Sequence, residues 1–202
     1  MIVGHYAAAL IPYSRLKAHP FWLLLLCANV PEFFWLLLAL FGVEPASPPS
    51  LFDATLNNLH VAMTYSHNLI PGILQGVVVA GLVFAWRRDR RLALWCGFLA
   101  TFHVLCDLVV GFEHQLLTPD SMRVSLNTYG TVPLLAITIE LLFTLACVSW
   151  YQFEEKRQGR PLPAKRLAAL YAVFIVGAVI WIPSATTSMR DQLHAIGIEL
   201  PA

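Results

Sequence analysis

Five runs of about 20 predominantly apolar residues set the limits on this chain, because about 20 residues is the length a helix needs to cross a bilayer. They are Phe21–Val43, Leu69–Trp86, Leu92–Phe112, Thr131–Tyr151 and Ala164–Pro183. Backbone in hydrocarbon must satisfy its own N–H and C=O groups, so runs of this length fold as helices. The expected class is an all-α membrane protein with about five transmembrane helices. Composition agrees: 58% of the residues are hydrophobic and 12% charged, against about 25% charged in soluble domains. No segment between the runs is long enough for a core of its own, so residues 1–202 are expected to form a single integral membrane domain. A net charge of +1 gives no reason to expect nucleic acid as a partner. Met1–Pro12 is apolar but lacks a basic leader and a cleavage site, so it reads as part of the fold and not as a signal. The four cysteines fall inside the runs without CxxC spacing and read as small apolar residues.

Basic residues give an orientation. Arg15 and Lys17, the Arg87–Arg91 cluster, and Lys156 to Arg166 fall on one side, while the other side holds Arg123 and Arg190. The positive-inside rule assigns the rich side to the cytoplasm, which leaves Glu44–Asn68, Glu113–Gly130 and the C-terminus outside. "EPASPPS" (Glu44–Ser50) is loop chemistry, since proline ends helices. Asp53 is positioned to N-cap an outer-face helix through "ATLNNLHVAMTYSH". Trp22, Trp86, Trp150 and Trp181 near span ends read as interfacial anchors.

Ionisable groups within spans are expensive and therefore mark candidate sites. Glu32 follows Pro31 inside the first run, where a proline can kink the helix. His103 and Asp107, in "TFHVLCDLVVGFEH", are four apart, so they share a helix face with Cβ atoms about 6 Å apart. His67 stands at the outer mouth of the second run, with His60 two turns earlier. His5 lies in "IVGHYAAAL". His, Asp and Glu together are the donors that zinc and similar divalent ions bind. A plain alternative is a His103–Asp107 pair that holds helices together. Glu140, in the fourth run, has no partner in its own helix.

In order along the chain, His5, "VPEFF" (Val30–Phe34), "YSHNL" (Tyr65–Leu69) and "FHVLCD" (Phe102–Asp107) resemble the bacterial inner-membrane family of membrane-bound metal-dependent hydrolases. The resemblance runs from His5 to about His114. It implies that His5, Glu32, His67, His103 and Asp107 are metal ligands. Glu32 stands where the family usually has Asp, Phe34 where a second Asp is common, and Ser66 and Asn68 where Thr and Ser flank the central His. The HxxxD pairing is also distantly similar to that of zinc-dependent phospholipases C.

The expected function is a membrane-embedded hydrolase with a divalent metal cofactor, Zn²⁺ by preference. It would cleave an ester or phosphoester of a membrane lipid or lipid-linked substrate from the outer leaflet of the inner membrane. Glu32 is either a ligand or the catalytic general base, and His60, Tyr65 and His114 are expected to contact substrate or support the ligands. A small transporter, or a non-catalytic protein with a structural polar cluster, are the alternatives. Arg15 and Lys17 follow His5 closely, so a His5 that meets His103 requires a short re-entrant helix from about Ile2 to Pro12. Its imidazole should then lie within about 5 Å of His103 or Asp107, the reach of a shared ion or one water.

Overall fold

Helices follow the apolar runs and break where proline or asparagine interrupts them. In the computed structural model, which describes residues 1–199, the helices are α1 (Gly4–Ala8), α2 (Leu10–Tyr13), α3 (Phe21–Ala28), α4 (Val30–Leu40), α5 (Leu69–Arg87), α6 (Arg90–Val109), α7 (Thr128–Thr131), α8 (Pro133–Arg157), α9 (Ala164–Val179) and α10 (Met189–Ala195). A small antiparallel pair, β1 (Ala46–Ser47) and β2 (His60–Val61), lies between α4 and α5. Four segments are long and apolar enough to cross a membrane: α5, α6, α8 and Ala164–Ala185. The pair α3 and α4 makes a fifth if it counts as one broken span, bent by 55°. This set fits an integral membrane protein. Leu74, Val77 and Leu82 on α5 and Val173 and Val176 on α9 are exposed, as lipid-facing positions should be. The chain's last residues, expected on the outer side, lie outside the described residues.

The break in the first run falls at Asn29, with Pro31 in the first turn of α4. Proline has no N–H to give the preceding turn, so the ladder is interrupted there and the axis turns. Asn29 is buried and donates its side-chain amide to the Leu25 carbonyl at 2.8 Å, which satisfies part of the broken ladder.

Helices α5 and α6 pack backbone to backbone. A Cβ built at Gly76 would lie 2.8 Å from the Gly97 carbonyl, and one at Gly97 would lie 2.5 Å from the Gly76 carbonyl. Gly72 faces Val104 equally closely. Lipid tails are as apolar as leucine, so helices in a membrane associate through small residues that allow such close approach. This hairpin sets the start of α5 beside the C-terminal half of α6.

The outer-face helix is not formed. Leu51–Asp53 is a single 3₁₀ turn, and the following residues make turns and the strand β2. Thr55 and Asn58 exchange hydrogen bonds between side chain and backbone, at 2.7 and 3.1 Å, and Asn58 also donates to the Asp53 carbonyl. Such local bonds compete with a helical ladder. Asp53 instead accepts from Arg190 of α10 at 2.5 Å, while the Leu56 N–H donates to the Ser184 carbonyl at 2.9 Å. The segment after α9 is thereby strapped to this loop. At the opposite, basic end, buried Glu154 and Glu155 of α8 pair with Arg15 and Lys17, both at 3.3 Å.

Candidate metal centre

Four separate pieces of chain converge on one buried point. α6 supplies His103 and Asp107 on one face. The α5–α6 hairpin sets His67, two residues before α5, against His103. The bend at Asn29 aims Glu32 at the same place, and α1 carries His5 in from the chain's start. His67 Nε2 lies 3.2 Å from His103 Nε2. His103 Nε2 lies 3.3 Å from Asp107 Oδ2, and His5 Nε2 lies 3.1 Å from Asp107 Oδ1. Glu32 Oε2 is 3.7 Å from His67 Nε2. The donor atoms of His5, His103 and Asp107, and those of Glu32, His67 and His103, are mutually within 4.8 Å. The His5 and His103 rings stack at 3.4 Å. His5 meets the 5 Å expectation.

Hydrogen bonds on the far side of each ring settle which nitrogens face inward. His103 Nδ1 lies 2.7 Å from the Ala28 carbonyl, which can only accept, so Nδ1 carries the proton and Nε2 presents a lone pair. The Ser66 hydroxyl donates to Glu44 Oε2 at 2.5 Å, so its oxygen accepts from His67 Nδ1 at 2.9 Å. His67 Nε2 therefore also presents a lone pair. Two lone pairs facing each other at 3.2 Å repel unless a positive centre sits between them. Donors at zinc-bond lengths are about 3.3 Å apart in a tetrahedral shell, which matches these three separations. The donor set fits a divalent cation. The Met1 α-amino group is also hydrogen-bonded to Asp107 Oδ1.

The supporting residues differ in part from the sequence reading. Glu44 read only as the edge of a proline-rich loop. It is 1% exposed and accepts from the Tyr65 and Ser66 N–H groups and the Ser66 hydroxyl. Metal-binding histidines commonly carry such an outer partner, which fixes ring orientation and tautomer. Asn68 is fully buried; it accepts from the Gln115 N–H at 2.8 Å and donates to the Leu117 carbonyl at 3.0 Å, pinning the turn beside His67. His60 is not at the centre. It sits exposed on β2, paired with Ser47, because the helix that would have carried it inward does not form. The Tyr65 ring points away and is 56% exposed; only its N–H contributes, to Glu44. His114 is buried, stacks on His67 with ring centroids 5.6 Å apart, and has no hydrogen-bond partner at Nδ1 among the described residues. Burial drives the imidazoles of His67 and His114 down, the latter to about 3, so both are neutral near pH 7.

Glu140 finds its partners across the bundle. Its Oε1 accepts from the Val3 and Gly4 N–H groups and its Oε2 from the Tyr129 hydroxyl at 2.6 Å; that hydroxyl in turn accepts from the Ile2 N–H at 3.1 Å. The start of α1 is thus held by side chains of α7 and α8. The signals that would have found Glu44 and Glu140 are weak: each is an acid in a segment with no basic residue near it.

Beside the cluster lies a cavity of about 500 Å³, lined by His5, Glu32, His67, Asp107 and His114 and by apolar side chains such as Trp35, Phe112 and Trp181. Trp181 thus faces this space as well as sitting at a span end. A concave, mostly apolar pocket with a few convergent polar groups is the usual form of a small-molecule site. Comparison with protein-family models, with curated proteins and with solved structures finds no match for this chain.

Proposed function

We propose that this chain is a membrane-embedded metal-dependent hydrolase that cleaves an ester or phosphoester of a lipid or lipid-linked substrate reached from the outer leaflet. The reading rests on one observation above all. The two Nε2 lone pairs of His67 and His103 face each other at 3.2 Å, with both Nδ1 protons committed elsewhere and Asp107 alongside. His5, His67, His103 and Asp107 hold the ion, Zn²⁺ by preference, since neutral imidazole with carboxylate is a zinc donor set. Such an ion acts as a Lewis acid toward water and the scissile oxygen. Glu32, whose side chain is 42% exposed beside His67, takes a proton from attacking water, unless it completes the ligand set. His114 and the aromatic walls orient the substrate. In this reading α1 is a re-entrant helix, the basic residues lie in the cytoplasm, and the protein resides in a bacterial inner membrane.

The transporter alternative needs a polar path from the centre toward the basic end. The residues of α3 and α6 on that side (Leu23, Leu24, Cys27, Leu92, Cys96 and Leu99) form a buried apolar cluster, which favours the hydrolase. The test is elemental analysis of detergent-purified protein. About one tightly held zinc per chain is expected, with His103→Ala losing it while the protein still inserts and elutes as wild type. Metal-free wild-type protein from a chelator-free preparation, still folded, would refute the proposal.

A further inference from the structure

Basic side chains at one end of the bundle have two different fates. Arg15 and Arg157 pair with Glu154, and Lys17 and Arg160 pair with Glu155. The turn between α5 and α6 carries Arg87, Arg88, Arg90 and Arg91, all of them exposed. None of the four makes an ion pair among the described residues. The one acid in the turn, Asp89, is already committed: it caps α6 by accepting from the Leu92 N–H at 3.0 Å, and it pairs with His19 at 2.9 Å. Only Arg88 and Asp89 separate the two helices, with Arg88 in the left-handed region at φ 55°. The four guanidinium groups are therefore gathered at one tip. The positive-inside rule accounts for basic residues at this end, but not for which of them lack partners.

The surroundings of the tip suit an amphiphile. Trp86 is exposed, and the Arg87 guanidinium lies 5.0 Å from its ring centre. Tryptophan at a span end sits at the level of the lipid headgroups. Further along both helices, Val78 and Leu82 on α5 and Leu94 and Phe98 on α6 are exposed. A free anion has no use for such a surface. A phospholipid places its phosphate among the guanidinium groups and its acyl chains along these side chains. Guanidinium binds phosphate through paired N–H donors, and an anionic headgroup is attracted by each basic residue near the membrane surface.

We infer that the α5–α6 turn is a binding site for anionic phospholipid of the surrounding leaflet. Such a site depends on the spanning helices and not on the metal centre.

The test is native mass spectrometry of the full chain, purified in a nonionic detergent and offered equal amounts of phosphatidylglycerol and phosphatidylcholine with the same acyl chains. The anionic lipid should be retained at least about tenfold over the zwitterionic one, and the preference should shrink as ionic strength rises. Two double variants, Arg87→Gln with Arg90→Gln and Arg88→Gln with Arg91→Gln, each keep half of the charge at the tip. Neither touches an ion pair, and glutamine suits a helix as well as arginine. Each should cut the preference to about threefold, half of the tenfold effect in free energy. Lys165→Gln with Arg166→Gln, at the exposed start of α9, removes the same charge from another basic stretch and should leave the preference unchanged. Inorganic phosphate, at an ionic strength matched with chloride, should not displace the lipid. Equal retention of both lipids by the wild type would overturn the site. Equal loss in the α9 variant would assign the preference to the overall charge of the protein and not to this turn. Displacement by inorganic phosphate would make the turn a site for a free anion. Either of these last two results would also refute the proposal.

Discussion

Glu140 is 2% exposed in the first half of α8, yet its carboxylate serves the N–H groups of Val3 and Gly4 near the start of α1. Hydrogen bonds to a charged group contribute about 1.5–3 kcal/mol each, and a buried donor left unpaired costs about 1–3 kcal/mol. Glu140→Ala strands the Val3 and Gly4 N–H groups and the Tyr129 hydroxyl. It is expected to cost at least about 3 kcal/mol, and to lower zinc occupancy because His5 is no longer held. Thermal unfolding in detergent and metal analysis of the same sample read the two effects. Glu140→Gln keeps an acceptor toward Val3 and Gly4 and should lose less of both. Glu32 poses a sharper question. Were it a ligand, Glu32→Gln would weaken metal binding; acting as base, the same variant would keep its zinc and lose turnover. Zinc content and ester cleavage measured together separate the two, and unchanged cleavage would remove Glu32 from the reaction. His103 and Asp107 were legible in the sequence because a spacing of four on a helix guarantees a shared face. Glu44 and Glu140 were not, because Glu44 meets Ser66, 22 residues on, and Glu140 meets Gly4, 136 residues back, and nothing local announces either contact.

At the scale of elements, the α5–α6 hairpin is the part on which the centre depends most. Gly76 and Gly97 let the two backbones meet, and the turn before α5 inherits its position from that contact. Gly76→Leu should force the helices apart, at about 1–3 kcal/mol for overpacking, and move His67 from His103. Lower zinc affinity with retained helicity by circular dichroism is the expected pair of readings. The strap between Asp53 and α10 makes a prediction about pH. The Arg190 guanidinium that donates to Asp53 holds its carboxyl below the usual carboxylate range. A depressed carboxyl stabilises the fold above its unfolded value of about 3.9, and that contribution is lost as pH falls through the lower folded value. Above about pH 5 the strap should therefore be insensitive to pH. In more acid solution, α10 should become open to proteolysis, and Arg190→Ala should reproduce that opening at neutral pH. The spans were legible because their length and hydropathy admit little else. The loop from Asp53 to His67 was not, since an N-cap residue and helical spacing also suit a turn when Thr55 and Asn58 bond their own backbone.

At the scale of the molecule, the buried ionisable side chains among the described residues are sorted to two places: the donor cluster with its supporting residues, and Glu154 and Glu155, paired with Arg15 and Lys17 at the basic end. Between them lies the buried apolar cluster of α3 and α6. The contacts of α1 carry a consequence for how such a molecule is made. Ile2, Val3 and Gly4 are synthesised well over a hundred residues before the groups that receive them, Tyr129 and Glu140. His5 likewise waits for Asp107, about a hundred residues behind it. The hairpin that brings His67 to His103 can assemble as soon as α6 is threaded into the bilayer. The start of α1 must stay unseated until α8 has been delivered, so it closes the donor cluster after the α5–α6 hairpin has formed. A metal held by this cluster would then be captured late in insertion and would not guide it early.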